Sequence, residues 1–196
     1  KLIIIPGTKS TIADLKFLKY QGWDIDIKSH YRRGGSILGI CGGYQILGNE
    51  IIDDQGYDGT PSKAKGLGLL NVKTKMGKEK NLGKKEFIST INGKKISGYE
   101  IHLGITSGSD CNNPFAILSN KKDGAISCNG LVMGTYLHGL FFSDEFRNNF
   151  VAKLSSEEKK EDISFHDSIE FILEEFVRVI EDNLDVDSIL SVARNI

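Results

Sequence analysis

The alternation of apolar runs and polar stretches in the first quarter of the chain predicts strands that alternate with helices. Leu2–Ile5 is a continuous apolar run, typical of a strand buried on both faces. Apolar residues then recur at helical spacing over 12–18, and a second, shorter helical piece covers 23–31. The apolar run at 37–40 predicts the next strand. This order is typical of a parallel sheet with helices on its faces.

The middle of the chain changes character and predicts short antiparallel strands. Asn92-Gly93 and Asn129-Gly130 each separate two strand-like runs, as the turn of a β-hairpin does. The lysine-rich segment 75–85 is interpreted as a solvated face. The predicted fold class is therefore α/β, with a flavodoxin-like or Rossmann-like, mostly parallel sheet, added antiparallel strands and flanking helices.

Three regions follow from these patterns. Residues 1–154 are predicted to form the main domain, and 155–163 to form a charged, mobile linker. Residues 164–196 are predicted to form a helical appendage, because apolar residues recur at helical spacing over 164–183. Packing of this helix against its own domain is favoured over binding to a partner helix.

Charge and composition exclude several classes of function. The net charge is −1 and the lysine-rich segment 75–85 is interpreted as a solvated face, so no basic patch indicates nucleic-acid binding. No apolar run reaches the roughly 18 residues of a membrane span, and the start of the chain shows no signal peptide. The three cysteines, at 41, 111 and 128, leave an odd one in any disulfide scheme and favour a reducing cytoplasm. Their spacing does not indicate a metal site.

Residues 39–43 read Gly-Ile-Cys-Gly-Gly, the cysteine version of the nucleophile elbow. A residue at the tip of so sharp a strand-to-helix turn has a strained backbone, and larger neighbours would clash with the strand and the helix. The turn lifts the sulfur of Cys41 clear of the sheet, and the helix start is expected to lower the thiol pKa. A small buried cysteine at a strand end is the alternative, but the glycines favour a nucleophile.

A thiolate nucleophile needs a base close in space, and that base is usually a histidine. The chain has four histidines, at 30, 102, 138 and 166. His138 ends the apolar run 131–137, so it is expected at the same sheet edge as Cys41 and is predicted to be the base. His102 alternates with Glu100 on one strand face and is the second candidate, for substrate binding or orientation.

Several segments together resemble the class I-like (triad) glutamine amidotransferases of the cobyric acid synthase type. The matching segments are 39–45, 99–102 and 134–139. The early loop at 6–15 also resembles that of the family, and 184–187 resembles the C-terminal end of the family's enzyme. Taken singly the elbow is moderately specific, but the four motifs that occur in the right order between residues 2 and about 150 are together a strong indication.

The resemblance implies a mechanism for glutamine hydrolysis. Cys41 would attack the side-chain amide of glutamine and His138 would move the proton, so that ammonia leaves and water cleaves a glutamyl thioester. Backbone N–H groups of Gly42 and of the loop at Gly7 and Thr8 would hold the oxyanion.

The resemblance also suggests residues for binding the substrate. These are Gln45, Tyr44, Tyr99, Glu100 and His102. Ordinary triad amidotransferases carry a glutamate two residues after the histidine, where this chain has Leu140. The site is therefore expected to be a Cys–His dyad, or to take its orienting acid from elsewhere, with Glu100 as the candidate.

The family's enzyme is longer than this chain. By resemblance, the chain is its C-terminal glutaminase part with the first βα unit missing, and ATP and Mg would belong to an absent N-terminal synthetase domain. No cofactor is predicted in this chain, since 7–10 lack the spacing of a phosphate-binding loop. The ammonia would amidate carboxylates of adenosylcobyrinic acid a,c-diamide there, in cobalamin biosynthesis. The expected partners are thus glutamine, the synthetase domain and its corrinoid.

Three other functions fit parts of the pattern. The glutaminase subunit that amidates the cell-wall precursor lipid II shares two of the motifs, but its early loop is glycine-rich. A non-catalytic interaction module on the same fold, and a cysteine peptidase with an open cleft, are the others. Cys41 and His138 argue against a degenerate site.

Overall fold

The computed structural model describes residues 1–155 and 164–194, apart from the side chains of residues 79–81. The chain divides into two compact units, Lys1–Glu158 and Lys159–Ile196. Most of the predicted linker, 156–163, lies outside the described residues, so its mobility stays a prediction.

The first unit contains all the strands and four of the described helices. The strands are β1 Leu2–Ile5, β2 Ser36–Ile40, β3 Glu50–Asp53, β4 Ser62–Lys65, β5 Lys73–Ser89, β6 Lys95–Ser107, β7 Ala116–Leu118, β8 Lys121–Asp123, β9 Ala125–Ile126, β10 Val132–Thr135 and β11 Leu137–His138. The helices are α1 Thr11–Tyr20, α2 Trp23–Arg32, α3 Gly42–Leu47 and α4 Asp144–Leu154.

Two sheets, rather than one, carry these strands. The first has the order β1-β2-β10-β9, in which β1, β2 and β10 are parallel and β9 is antiparallel. Ile5 pairs with Gly39, and Thr135 with Ile40, so three parallel strands end together. Ligands bind at the carboxyl ends of parallel strands in such sheets. This edge carries the loop after β1, the turn after β2 and the segment that leads to His138.

The second sheet places a long hairpin beside that edge. Its order is β11-β6-β5-β3-β4, and most of its pairs are antiparallel. β5 includes the lysine-rich segment, and Lys75, Lys78 and Lys84 are exposed there, so the interpretation as a solvated face is confirmed for these lysines. β11 pairs with β6, with His138 opposite Tyr99. The predicted fold class is confirmed, with the added antiparallel strands gathered into a sheet of their own.

Close backbone approaches hold α3 against the first sheet. Tyr44 of α3 is buried, and its ring packs on Gly134 of β10, where a Cβ would lie 2.0 Å from Tyr44 Cδ2. Since real Cβ contacts do not come this close, only glycine fits at 134. The ring therefore fixes the distance between the helix after Cys41 and the strand before His138.

The described part of the second unit consists of two helices, α5 Phe165–Asn183, as the apolar spacing predicts, and α6 Val186–Ala193. Ser164 caps α5 by accepting the Asp167 N–H (3.2 Å), and Asp185 caps α6 by accepting the Ser188 N–H (3.0 Å). Among the described residues, no helix combines the length and apolar character that a membrane crossing requires.

Candidate active site

Cys41 occupies the strained turn between β2 and α3 that the glycine pattern predicts. Its backbone has φ +53° and ψ −112°, a left-handed conformation uncommon for any residue except glycine. A Cβ at Gly39 would lie 2.7 Å from the Gly43 carbonyl, and one at Gly43 would lie 2.0 Å from the Ile5 carbonyl oxygen. The two glycines are thus required for strand, turn and helix to meet.

A cavity of about 260 Å³ opens beside the Cys41 thiol. It is lined by Thr8, Lys9, Thr11, Cys41, Gly42, Gln45, Asp58, Met76, Ile101, His102 and Leu103. These residues come from the loop after β1, the elbow, the loop after β3 and the hairpin. The cavity is smaller than the roughly 300–1,000 Å³ pockets of drug-sized ligands, so its volume suits a ligand of the size of an amino acid.

The thiol is held in its protonated form. Sγ donates to the Ile101 carbonyl oxygen at 3.2 Å. Burial raises the pKa of the Cys41 thiol above its ordinary value, the Gly42 N–H opposes this, and the negative charge of Asp58 adds to it. The prediction of a lowered thiol pKa is therefore wrong in its net direction, although the N–H group at the start of the helix does lower the pKa as predicted.

This raised pKa predicts how the thiol responds to pH. Because desolvation disfavours the thiolate, alkylation of Cys41 by iodoacetamide should reach half its maximal rate at a higher pH than alkylation of a cysteine tripeptide. Mass spectrometry of the Cys41 peptide after timed quenching at each pH measures the profile, with the tripeptide in the same tube as the control. A midpoint below that of the tripeptide would contradict the prediction.

His138 and Cys41 both lie beside Gly7. The position of a Cβ on Gly7 is 3.0 Å from His138 Cε1 and 3.5 Å from Cys41 Cβ, so both side chains approach the same point next to this glycine. His138 Nε2 is buried and has no hydrogen-bond partner among the described residues. A buried nitrogen without a partner is costly, and it can serve as a proton acceptor when the resting thiol is displaced. The structure brings the predicted nucleophile and the predicted base together.

Comparison with known proteins identifies the family. The CobB/CobQ-like glutamine amidotransferase domain matches residues 1–146. The chain belongs to this family. It is 47% identical over 193 residues to cobyric acid synthase from Cereibacter sphaeroides, and 47% identical over 194 residues to that from Bradyrhizobium diazoefficiens. These alignments cover 98% and 99% of the chain but 40% of each relative, so the chain spans less than half the length of the curated relatives it matches.

Solved structures support the fold of this amidotransferase domain. A glutamine amidotransferase crystal structure superposes with a TM-score of 0.56 at 18% identity, covering 80% of this chain and 79% of that one. PurLQS from Thermotoga maritima gives 0.55 at 18% identity, over 79% and 80%. The two structures show the same kind of fold, and the enzyme is an amidotransferase by family.

The three residues predicted for the oxyanion hole of the amidotransferase lie together. A Cβ on Gly42 would lie 2.4 Å from Thr8 Cγ2 and 3.2 Å from the Thr8 backbone nitrogen. Gly7 lies beside both Cys41 and His138, because the position of a Cβ on it is within 3.5 Å of an atom of each side chain. The Thr8 hydroxyl donates to the Asp14 carboxylate and accepts the Ser10 N–H at 3.0 Å, which fixes the loop. Their role in holding an oxyanion stays a prediction.

Glu100 is engaged away from His138. One carboxylate oxygen accepts from His102 Nε2 at 3.2 Å, and the other accepts from Lys121 Nζ at 2.6 Å. Burial raises the pKa of Glu100, but the hydrogen bonds from Lys121 and His102 outweigh this and bring the pKa below its ordinary value. The expectation that Glu100 orients the base is therefore corrected, because its carboxylate orients His102.

His102 is buried, and its ring stacks on Tyr136 with the centroids 3.7 Å apart. Burial lowers the pKa of His102, while the hydrogen bond to Glu100 raises it, and the net shift is downward. The imidazole is thus neutral at neutral pH. It lines the Cys41 cavity and also a second cavity of about 220 Å³ on its other side.

The remaining predicted binding residues are divided between the two cavities. Gln45 lines the Cys41 cavity, but its amide is already bonded to Thr11 (3.2 Å), Tyr136 (3.2 Å) and the Leu103 carbonyl (3.1 Å). Tyr44 and Glu100 line the second cavity, and Tyr99 is 48% exposed and lines neither of the two. Gln45 and His102 therefore line the Cys41 cavity and Tyr44, Tyr99 and Glu100 do not, while the role of all five in binding the substrate stays a prediction.

Two acidic residues near the site were not foreseen. Asp58 enters the Cys41 cavity from the loop after β3. The Asp123 carboxylate accepts hydrogen bonds from the Thr135 hydroxyl and from the Tyr136 N–H (3.2 Å), and these hold the end of the strand before His138. Burial raises the pKa of Asp123 to about 6. The clustering of aspartates and glycines at 53–59 indicated a turn, but it carried no signal of contact with Cys41. Among the described residues, no cluster of three or more metal-ligating side chains occurs.

Proposed function

We propose that this chain is the glutaminase part of an adenosylcobyric acid synthase and that it works by a Cys–His mechanism. The observation that carries the proposal is the placement of Cys41 and His138 next to the same point beside Gly7, with the His138 Nε2 atom buried and without a hydrogen-bond partner among the described residues. The Cys41 sulfur attacks the side-chain amide carbon of glutamine as its proton passes to His138. The hydrogen bond from the thiol to Ile101 breaks as this happens.

The later steps use the same two side chains. The protonated imidazole delivers its proton to the leaving nitrogen, so ammonia departs and a glutamyl thioester remains on Cys41. Water activated by His138 then attacks the thioester, which releases glutamate and restores the thiol. N–H groups of Gly42 and Thr8 face the developing oxyanion, where one donor typically contributes 10²–10³-fold in rate.

The destination of the ammonia is also part of the proposal. The relatives named cobyric acid synthase are longer than this chain, which supports an N-terminal synthetase domain that uses ATP and Mg²⁺. There the ammonia would amidate the carboxylates of adenosylcobyrinic acid a,c-diamide. The three free cysteines support a reducing, cytoplasmic location.

The test uses the protein with the N-terminal part of its relatives restored, in the presence of ATP, Mg²⁺ and glutamine. We expect glutamate release together with addition of amides to the a,c-diamide, which mass spectrometry reads as a loss of about one mass unit per carboxyl converted. The Cys41→Ala variant should amidate only when ammonium salt is supplied. Amidation of a lipid II precursor instead would contradict the corrinoid substrate and favour the cell-wall glutaminase. Absence of Cys41-dependent glutamate release would overturn the proposal in favour of an interaction module.

A further inference from the structure

The Cys41 cavity contains two ionisable side chains of opposite sign. Asp58 is half-buried at its wall, and Lys9 is exposed at its rim. The other lining residues are apolar or neutral, including His102, whose pKa is lowered by burial. A small ligand that carries both an ammonium and a carboxylate group would match this pair of charges.

Asp58 is held in place by a built loop. The buried Asp53 carboxylate accepts the N–H groups of Gly56 and Tyr57 at 2.9 Å and that of Asp58 at 2.8 Å. Asp58 Oδ2 in turn accepts the Ile12 N–H at 3.2 Å, at the start of α1. Because its loop and its carboxylate are both fixed, Asp58 loses little conformational entropy when it binds a ligand.

The electrostatic surroundings of Asp58 favour a cation. Burial raises the pKa of the Asp58 carboxyl, the N–H groups of Ile12 and Thr11 lower it, and the nearby carboxylates Asp53 and Asp14 raise it again. The net shift of the Asp58 pKa is upward, so the surrounding groups do not fully stabilise the negative charge of its carboxylate. An ammonium group in the cavity would supply the missing positive charge.

We propose that Asp58 binds the α-ammonium group of free L-glutamine whose side-chain amide reaches Cys41, so that the site selects the free amino acid over glutamine within a peptide. The inference rests on the proposed glutaminase function and names a residue that determines its specificity. Lys9 is placed to meet the α-carboxylate. A glutamine residue inside a peptide has neither charge, so it would leave the Asp58 carboxylate desolvated and unpaired.

The experiment compares L-glutamine with glutaric acid monoamide (glutaramic acid), which has the same side-chain amide and carboxylate but no ammonium group. Asp58→Asn should lower kcat/KM for glutamine about tenfold to a hundredfold, mainly through KM. It should change kcat/KM for the monoamide by less than about threefold. Asp54→Asn is the matched control, because Asp54 lies in the same loop and its carboxylate pairs with Lys63 at 3.3 Å at the surface.

The two-substrate ratio separates binding from a structural role. Asp58 also caps α1, and loss of that cap would disturb the Thr8 loop and lower both rates equally, leaving the ratio unchanged. An unchanged ratio would therefore overturn the inference, whether or not the rates fall. A changed ratio of kcat/KM for the two substrates in Asp54→Asn would overturn it as well, because removing any negative charge from the loop would then have the same effect as removing that of Asp58.

A binding measurement keeps this inference distinguishable from the proposed function. L-glutamine should protect Cys41 from iodoacetamide at a lower concentration than the monoamide does, and this difference should disappear in Asp58→Asn. If the wild type does not hydrolyse glutamine but shows this protection, the proposed function fails and the Asp58 inference stands. If the wild type hydrolyses glutamine and protection is insensitive to Asp58, only the inference fails.

Discussion

Cys41→Ala is expected to reduce glutamate release by about 10⁴-fold or more, because it removes the atom that forms the thioester. His138→Ala should cost about 10²–10⁴-fold, since the thiol then loses its base while its pKa is held high by burial. The double variant should be no slower than Cys41→Ala alone, because a base has no thiol left to act on. The measurement is coupled detection of glutamate, in the chain joined to the N-terminal part of its relatives.

The control for this prediction is another thiol of the same chain. Cys128 is free and exposed, so Cys128→Ala should keep activity within about twofold of the wild type. Thermal unfolding of all variants should shift by only a few degrees, which excludes loss of the fold as the cause. If Cys41→Ala and His138→Ala combined multiplicatively, the two side chains would act in separate steps, and the dyad would be the wrong description.

The elbow and its base could be predicted from the sequence because short-range patterns determine both. A glycine-flanked cysteine after an apolar run specifies the turn, and parallel strands bring their carboxyl ends to one edge, where Cys41 and His138 both lie. What the sequence does not contain is the degree of burial around the sulfur. The thiol pKa was therefore predicted with the wrong sign, since desolvation outweighs the helix start.

The contacts of Glu100 and Asp58 could not be predicted from the sequence, because they depend on strand geometry or on residues distant in the chain. Glu100 and His102 are two residues apart on β6, so their side chains share a face and bond to each other before either can reach His138. Asp58 lines the Cys41 cavity because the Asp53 carboxylate holds the loop in a turn and Asp58 accepts the Ile12 N–H, a hydrogen bond between residues 46 positions apart. Local patterning indicates that a turn occurs there, but not where its tip lies.

Gly43→Ala is expected to destabilise the main domain by about 3 kcal/mol or more, against the small gain that alanine usually brings to a helix. The added Cβ would lie 2.0 Å from the Ile5 carbonyl oxygen and 2.8 Å from that of Pro6, and both are backbone atoms that move only with β1 and its loop. For a domain of this size, that loss corresponds to a fall of roughly 6–12 °C in Tm.

Gly77→Ala is the matched control for this substitution. Gly77 lies in β5, where a Cβ would meet nothing within 4 Å, so its replacement should shift Tm by no more than about 2 °C. Since the loop after β1 holds Gly7 beside both Cys41 and His138, any Gly43→Ala protein that still folds should also lose glutamine hydrolysis. A Gly43→Ala protein with wild-type Tm and activity would show that α3 can move away from β1, and that the elbow does not depend on this close contact.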